Sequence, residues 1–293
     1  MPTYKTHAIH ITKCNDYIDK RIDLNLEDLK VFSFGPDSLV FTDPIVFNLQ
    51  HNKDSRYFFM YLLNEIKQNH ELENPELIAF LYGQISHYIL DYTFHPYVYY
   101  LTVNMKLNKM IHPHMQLEFW IDNYIMDKYG IYDKEFFTKT KIDDQHTRQI
   151  IDKVYFQVYK CILASNKYDI GINALESLET NVRFNDISKR IKKLADLTYE
   201  KRKKIFEWFL NRERNTWLHP FNGEKHKESL NELWNNSVAL YLETIEDVNN
   251  HLYNNKPLKN PILTSNSSYD TALDCESNKK LLFAKKYKKE VII

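Results

Sequence analysis

Residues 79–97 read A-F-L-Y-G-Q-I-S-H-Y-I-L-D-Y-T-F-H-P-Y. The surrounding apolar residues Leu77, Ile78, Phe80, Leu81, Ile85, Tyr88, Ile89 and Leu90 leave no polar face on a helix. A helix that is apolar all round belongs at the centre of its bundle. Its start is marked by Asn74-Pro75-Glu76, with Asn74 as cap and Pro75 in the first turn. Its end is expected near Phe94, because the residue before Pro96 is biased out of the α region. Yet this greasy segment carries His87, Asp91 and His95. Ala79, Gly83, His87 and Asp91 recur at every fourth position and stand one above another. Small residues followed by two ligand-type residues predict a gap beside the helix with polar groups directed into it.

The flanking sequence repeats the helical pattern. Residues 56–69 place Phe58, Tyr61, Leu62 and Ile66 at helical spacing, and a further helix is predicted from Pro113 to Gly130. Residues 147–164 carry Ile150, Ile151, Val154, Tyr155, Val158 and Ile162 in register. More helix is expected over 186–211 and over 227–253, the latter with Leu230, Leu233, Trp234, Val238, Tyr241, Ile245, Val248 and Leu252. The fold class is therefore all-α, a multi-helix bundle occupying residues 1–256. Gly35-Pro36-Asp37 interrupts two apolar stretches within 31–50. After Pro257 the periodicity is lost, and residues 257–293 read as an extended C-terminal tail, a wrap or a loose end.

With 293 residues, 43% hydrophobic and 27% charged, the chain is long enough for a sizeable core. Five glycines and nine prolines argue against a turn-rich β architecture. Equal numbers of basic and acidic residues, 39 each, leave no net field to draw nucleic acid or an anionic membrane. The basic clusters 188–193 and 200–205 read as the solvated surface of a helix. Three scattered cysteines without a C-x-x-C support neither a disulfide framework nor a thiolate metal site. The N-terminal residues lack the apolar core of a signal peptide, no apolar run is long enough to span a bilayer, and a cytoplasmic location is expected.

A buried carboxylate without a partner costs several kcal/mol, and a buried imidazole still needs its nitrogens satisfied. A metal ion answers both needs, with His-x-x-x-Asp placing two ligands on one side of it. The motif alone is weak. Twelve histidines and 39 acidic residues in this length yield about 1.6 chance pairs at i,i+4, and the chain has two, His87/Asp91 and His114/Glu118. Context decides instead, since both pairs lie on neighbouring apolar helices. An internal His–Asp hydrogen bond holding the bundle together is the bland reading of either pair.

The set T-H (6–7), F-G-P-D (34–37), His51, LYGQISHYILDYTFHPY (81–97) and HMQLEFWID (114–122) resembles the zinc-dependent phospholipase C family, whose fold is shared with the single-strand-specific zinc nucleases. The resemblance spans roughly residues 1–255, with the specific motifs in 34–122. It implies an all-α scaffold for up to three zinc ions. Asp37, His51, His87 and Asp91 would hold the first; His95, His114 and Glu118 the second. The third would share Asp91 and use His7. In secreted relatives a processed N-terminal tryptophan also holds that third ion, and this chain has no tryptophan near its start. His10 competes with His7 for that place. His51 reads as part of a polar stretch, His95 as an alternative helix C-cap, and Asp122 as a group that orients a ligand or binds water. His112 is read as supporting or exposed, and His219 and His226 as turn residues outside the site.

Nitrogen and carboxylate ligands without thiolates suit an open, catalytic zinc site. Clustered zinc ions lower the pKa of bound water to about 7 and so supply hydroxide, and they neutralise phosphoryl oxygens as charge develops. Asp37 is the candidate catalytic residue, orienting or deprotonating the attacking water. The expected activity is hydrolysis of a phosphodiester, either a phospholipid headgroup with peripheral membrane contact or a soluble diester. Two alternatives stand beside it: a nuclease of the same superfamily acting on single-stranded nucleic acid, and a non-enzymatic helical binding module with fully coordinated zinc. The chain contains no His-Asp dipeptide, which disfavours an HD-type phosphohydrolase.

Overall fold

A computed structural model describes residues 4–18, 22–104, 113–131, 136–137, 139–180, 206–277 and 280–285. The chain begins with α1 (Tyr4–Asn15) and α2 (Leu26–Phe32), followed by a short 3-10 helix (Gly35–Leu39). Next come α3 (Pro44–Asn52), α4 (Ser55–Gln68), α5 (Pro75–Thr102), α6 (Pro113–Tyr129), α7 (Gln145–Tyr159) and α8 (Ala164–Thr180). A two-stranded antiparallel hairpin, β1 (Trp217–Leu218) with β2 (Lys225–His226), precedes the long α9 (Leu230–Asn254) and the short α10 (Pro261–Thr264). The fold is all-α, and that hairpin is the only sheet among the described residues. No helix among the described residues is long and apolar enough to cross a membrane.

The central helix is α5, buried over most of its length and packed by α1, α2, α6 and α9. Asn74 accepts from the Leu77 N–H at 3.1 Å and Pro75 occupies the first turn, as the cap residues predict. Its far end differs from expectation. The helix continues through Pro96 to Thr102, although proline supplies no N–H to the Tyr92 carbonyl. Burial of Phe94, Tyr97, Val98 and Leu101 outweighs the local bias of the residue before proline. His95 therefore lies inside the helix and is no C-cap.

The predicted segments 56–69 and 113–130 correspond to α4 and α6, with Gly130 in the left-handed region (φ +65°) closing the latter. The expected helix over 147–164 stops at Tyr159, because Lys160 turns left-handed (φ +57°) and Ile162 faces solvent. Of the helix expected over 186–211, residues 206–210 are helical. Asn211 is already outside the helix (φ +48°), and residues 186–205, with both basic clusters, and His112 lie outside the described residues. Ser229 and Glu232 form a reciprocal capping box that starts α9.

Beyond Pro257 the chain packs onto the bundle. Ile262, Leu263, Ser268, Tyr269 and Thr271 are buried. The Tyr269 N–H donates to the His51 carbonyl at 2.9 Å, and the Ser55 and Tyr88 hydroxyls donate to the Ser267 carbonyl at 2.7 and 2.9 Å. Residues 266–274 thus lie across the ends of α3 and α4 and against α5.

Candidate metal centre

The stripe on α5 is built by close packing. A Cβ on Gly83 would lie 2.5 Å from the Phe32 carbonyl carbon and 2.8 Å from the Ser33 nitrogen. The small residue is thus filled by α2 backbone, and the gap predicted at Gly83 is absent. What that approach achieves is one turn further on. The Ser33 carbonyl meets His87 Nδ1 at 3.0 Å, so Nδ1 carries the proton and Nε2 presents a lone pair.

Three elements bring their side chains to His87 and Asp91 on α5. The 3-10 helix supplies Asp37, and it can pass so close only because Gly35 adopts φ +57° and has no Cβ; one there would sit 2.3 Å from His87 Cγ. From α1 comes His7, whose ring stacks on that of His87 with centroids 4.0 Å apart. His51 occupies the last turn of α3 and is buried, so it is no part of a polar loop. Its Nδ1 donates to the Phe47 carbonyl at 2.7 Å, which again leaves Nε2 pointing inward.

The resulting distances describe one cluster. Asp91 Oδ2 lies 3.1 Å from His87 Nε2 and 3.6 Å from His51 Nε2, while Asp91 Oδ1 lies 3.3 Å from His7 Nε2. Asp37 Oδ1 is 3.4 Å from His51 Nε2 and 3.9 Å from His87 Nε2. Two sets, His7/His87/Asp91 and Asp37/His51/His87, each offer three donor atoms within 4.8 Å of one another. His87 is common to both, and the two oxygens of Asp91 face them separately.

A second group lies further along α5. His95, His114 and Glu118 also bring donor atoms within 4.8 Å of one another. On α6 the i,i+4 pair His114 Nε2–Glu118 Oε1 is 2.8 Å apart, and the His95 and His114 rings are 5.5 Å apart. His114 is 17% exposed, which makes this the more open group. All eight residues expected at the site are therefore gathered into two adjoining groups along α5.

Proximity without hydrogen bonding is the informative feature. His87 Nε2, both Asp91 oxygens, Asp37 Oδ1, His95 Nε2 and both His7 nitrogens are buried and make no hydrogen bond. Buried polar atoms are normally satisfied, because an unmade bond costs about 1–3 kcal/mol. Here so many turn toward shared points that a cation is the economical explanation. Burial, with the nearby His87, lowers His7 to about 4, against the pull of Asp91, and so keeps it a neutral donor. Burial also opposes a charge on His51, but Asp37 and Asp91 outweigh it and raise that residue to about 10. Asp91 is held well below the usual carboxylate range; burial pushes it upward, and His87, His95, His51 and His7 more than reverse this. The set of imidazole and carboxylate donors without thiolates fits zinc.

The remaining candidates separate cleanly. His10 is a satisfied core histidine, its Nδ1 2.8 Å from Ser86 Oγ and its Nε2 3.2 Å from Ser237 Oγ. Asp122 accepts from both the backbone N–H (3.2 Å) and the hydroxyl (2.5 Å) of Thr6, and so anchors α1 beside His7. His219 Nε2 meets the Thr271 carbonyl at 3.0 Å and belongs to none of the three donor sets. Sequence reasoning missed Asp270, whose Oδ1 lies 3.2 Å from His95 Nδ1. It sits in a segment without periodicity, and only the three-dimensional path of the chain brings it to α5.

Residues 6–165 match the family described as zinc dependent phospholipase C. No curated protein and no solved structure matches the chain.

Proposed function

From the premise that this chain belongs to the zinc-dependent phospholipase C family, we propose that it hydrolyses the phosphodiester of a phospholipid headgroup. At the coarser level it is a zinc-dependent, phospholipase C-like hydrolase. The observation that carries the proposal is the convergence of buried, unbonded imidazole and carboxylate atoms from α1, the 3-10 helix and α5, beside His51 of α3 and the more open group on α5 and α6.

Asp37, His51, His87 and Asp91 would hold one ion, His95, His114 and Glu118 a second, and His7 with Asp91 a third. Zinc there would lower the pKa of a water to about 7 and offset the charge that builds on the phosphoryl oxygens. The protein's own groups do the rest. The Ser33 and Phe47 carbonyls fix the tautomers of His87 and His51, so that both present Nε2. Asp37 is the one carboxylate of its group that keeps some exposure, and it is suited to accept a proton from an attacking water. The more exposed His114 and Glu118 side is the natural approach for a substrate at a lipid surface, with peripheral membrane contact part of the same proposal.

The test is turnover of phospholipid vesicles and of a chromogenic phosphodiester by the zinc-loaded protein. Activity that chelation abolishes and zinc restores, and that His87→Ala lacks, is expected. Full activity of the chelated protein or of His87→Ala would refute the mechanism. Salt-sensitive cleavage of single-stranded nucleic acid in place of phospholipid would move the assignment to the nuclease alternative.

A further inference from the structure

The matched family residues end at 165, yet a segment about a hundred residues later reaches both groups of the candidate centre. Residues 266–274 are closed on themselves by a bridge between Ser267 and Asp274. They attach to His51 through its carbonyl, which accepts from the Tyr269 N–H at 2.9 Å and from the Ser268 hydroxyl at 3.2 Å. The Tyr269 ring packs against His51 with centroids 5.2 Å apart. The next residue, Asp270, turns to His95. Its Oδ1 lies 3.2 Å from His95 Nδ1, and its Oδ2 accepts from the Asn52 amide at 2.7 Å. The Tyr269 carbonyl meets the same imidazole nitrogen at 3.1 Å.

Two acceptors at one nitrogen determine the protonation of the ring. Neither a carbonyl nor a carboxylate oxygen can donate, so His95 Nδ1 must carry the proton and Nε2 must be the lone-pair site. Nε2 is the atom that is buried without a hydrogen bond beside His114 and Glu118. A carboxylate behind a ligating histidine both orients the ring and makes it a better donor. Asn52, directly after His51 at the end of α3, holds the far oxygen of Asp270 and stops the carboxylate from swinging away. The arrangement therefore links the backing of His51 and the backing of His95 through three consecutive tail residues.

We propose that Asp270 is a positioning residue for His95, and that segment 266–274 is a built-in strap that sets the zinc affinity of the His95/His114/Glu118 group. The inference rests on the zinc reading above. It assigns no contact between Asp270 and substrate.

The test uses the full chain, stripped of metal and titrated with zinc against a chromogenic chelator. Asp270→Asn, nearly identical in shape, removes the charge, and Asp270→Ala removes the side chain. Both variants are expected to bind one zinc equivalent about 10–100-fold more weakly, while tighter sites and the melting temperature of the metal-free protein stay as in wild type. The absorption spectrum of the cobalt-substituted protein should change for that same equivalent. If Asp270→Ala does not fold, Asp270→Asn decides alone. Wild-type affinity in Asp270→Asn, or a metal-free melting temperature that falls while affinity holds, would overturn the inference and leave the zinc reading standing. A wild-type protein that takes up no zinc would overturn both.

Discussion

Replacing Gly83 with alanine separates helix propensity from helix packing. In a solvent-facing helix, Gly→Ala stabilises by about 1 kcal/mol. Here the new Cβ would stand 2.5 Å from the Phe32 carbonyl carbon and 2.7 Å from Phe32 Cβ, both rigid parts of α2, whereas ordinary contact begins at 3.4 Å. The backbone of α2 must retreat by 3.4 − 2.5 = 0.9 Å. Phe32 is fully buried, so no loose side chain can absorb the shift. Overpacking of this kind costs about 1–3 kcal/mol, which cancels or exceeds the propensity gain. The same retreat carries the Ser33 carbonyl away from His87 Nδ1, and a 3.0 Å contact stretched by that amount is no longer a hydrogen bond. Two readouts should therefore move together: a lower urea midpoint for the metal-free protein and weaker zinc binding. A variant as stable as wild type or more so, with unchanged zinc affinity, would show that the approach of α2 does not hold His87.

Zinc at 100 times its dissociation constant should stabilise the protein by about 2.7 kcal/mol over the chelated form, read as a shift in urea midpoint; no shift would mean that the buried donors bind nothing. Burial, aided by His7, lowers His10 to about 3 from an ordinary 6.5. The unfolded chain then takes the proton first, so stability falls as pH drops below 6.5 and continues to fall until about 3. At pH 5 the loss is about 2 kcal/mol relative to neutral pH, and His10→Gln should flatten that part of the pH–stability profile of the chelated protein. An unchanged slope would place the proton uptake elsewhere. Lys139 Nζ lies 2.5 Å from Glu76 Oε1 and also pairs with Asp28, both acids being largely buried. Lys139→Met leaves two carboxylates facing each other and should cost about 3 kcal/mol at neutral pH, with a smaller loss at pH 4, because burial already raises Asp28 and lets it take up a proton. An equal loss at both pH values would attribute the effect to packing.

The helices that could be read from sequence were those whose apolar pattern is long and capped, and the site was legible where its ligands stand on them. Asn74-Pro75 marks the start of α5, and His87/Asp91 and His114/Glu118 declare themselves by spacing on apolar helices. The errors share a cause, which is that tertiary burial overrides a local signal. Pro96 suggested an end where Phe94, Tyr97, Val98 and Leu101 continue into the core, and His51 looked polar because its neighbours Asn52 and Lys53 are, although α3 turns it inward. Gly83 in the small-residue stripe suggests a gap beside the helix, but a glycine on a buried helix serves equally to admit another backbone. Asp270 gave no local signal at all, since its partner is 175 positions away by residue number, 270 − 95.

The continuation of α5 past Pro96 is what gives the centre its spacing. His87, Asp91 and His95 are successive i+4 positions, so each step rises about 6 Å along one face of an unbroken helix. Asp91 sits between the other two, and its charge is felt by His87 on one side and His95 on the other. A helix that ended at Phe94 would release His95 from that face, and the separation between the two groups would then depend on a loop. With the helix intact, α5 sets where His95 stands and the Tyr269–Asp270 pair sets which nitrogen it offers. Position thus comes from an element inside the matched family region and tautomer from a segment beyond it. Loss of either should weaken the His95, His114 and Glu118 group while leaving the His7 and Asp37 contacts around Asp91 and His87 in place.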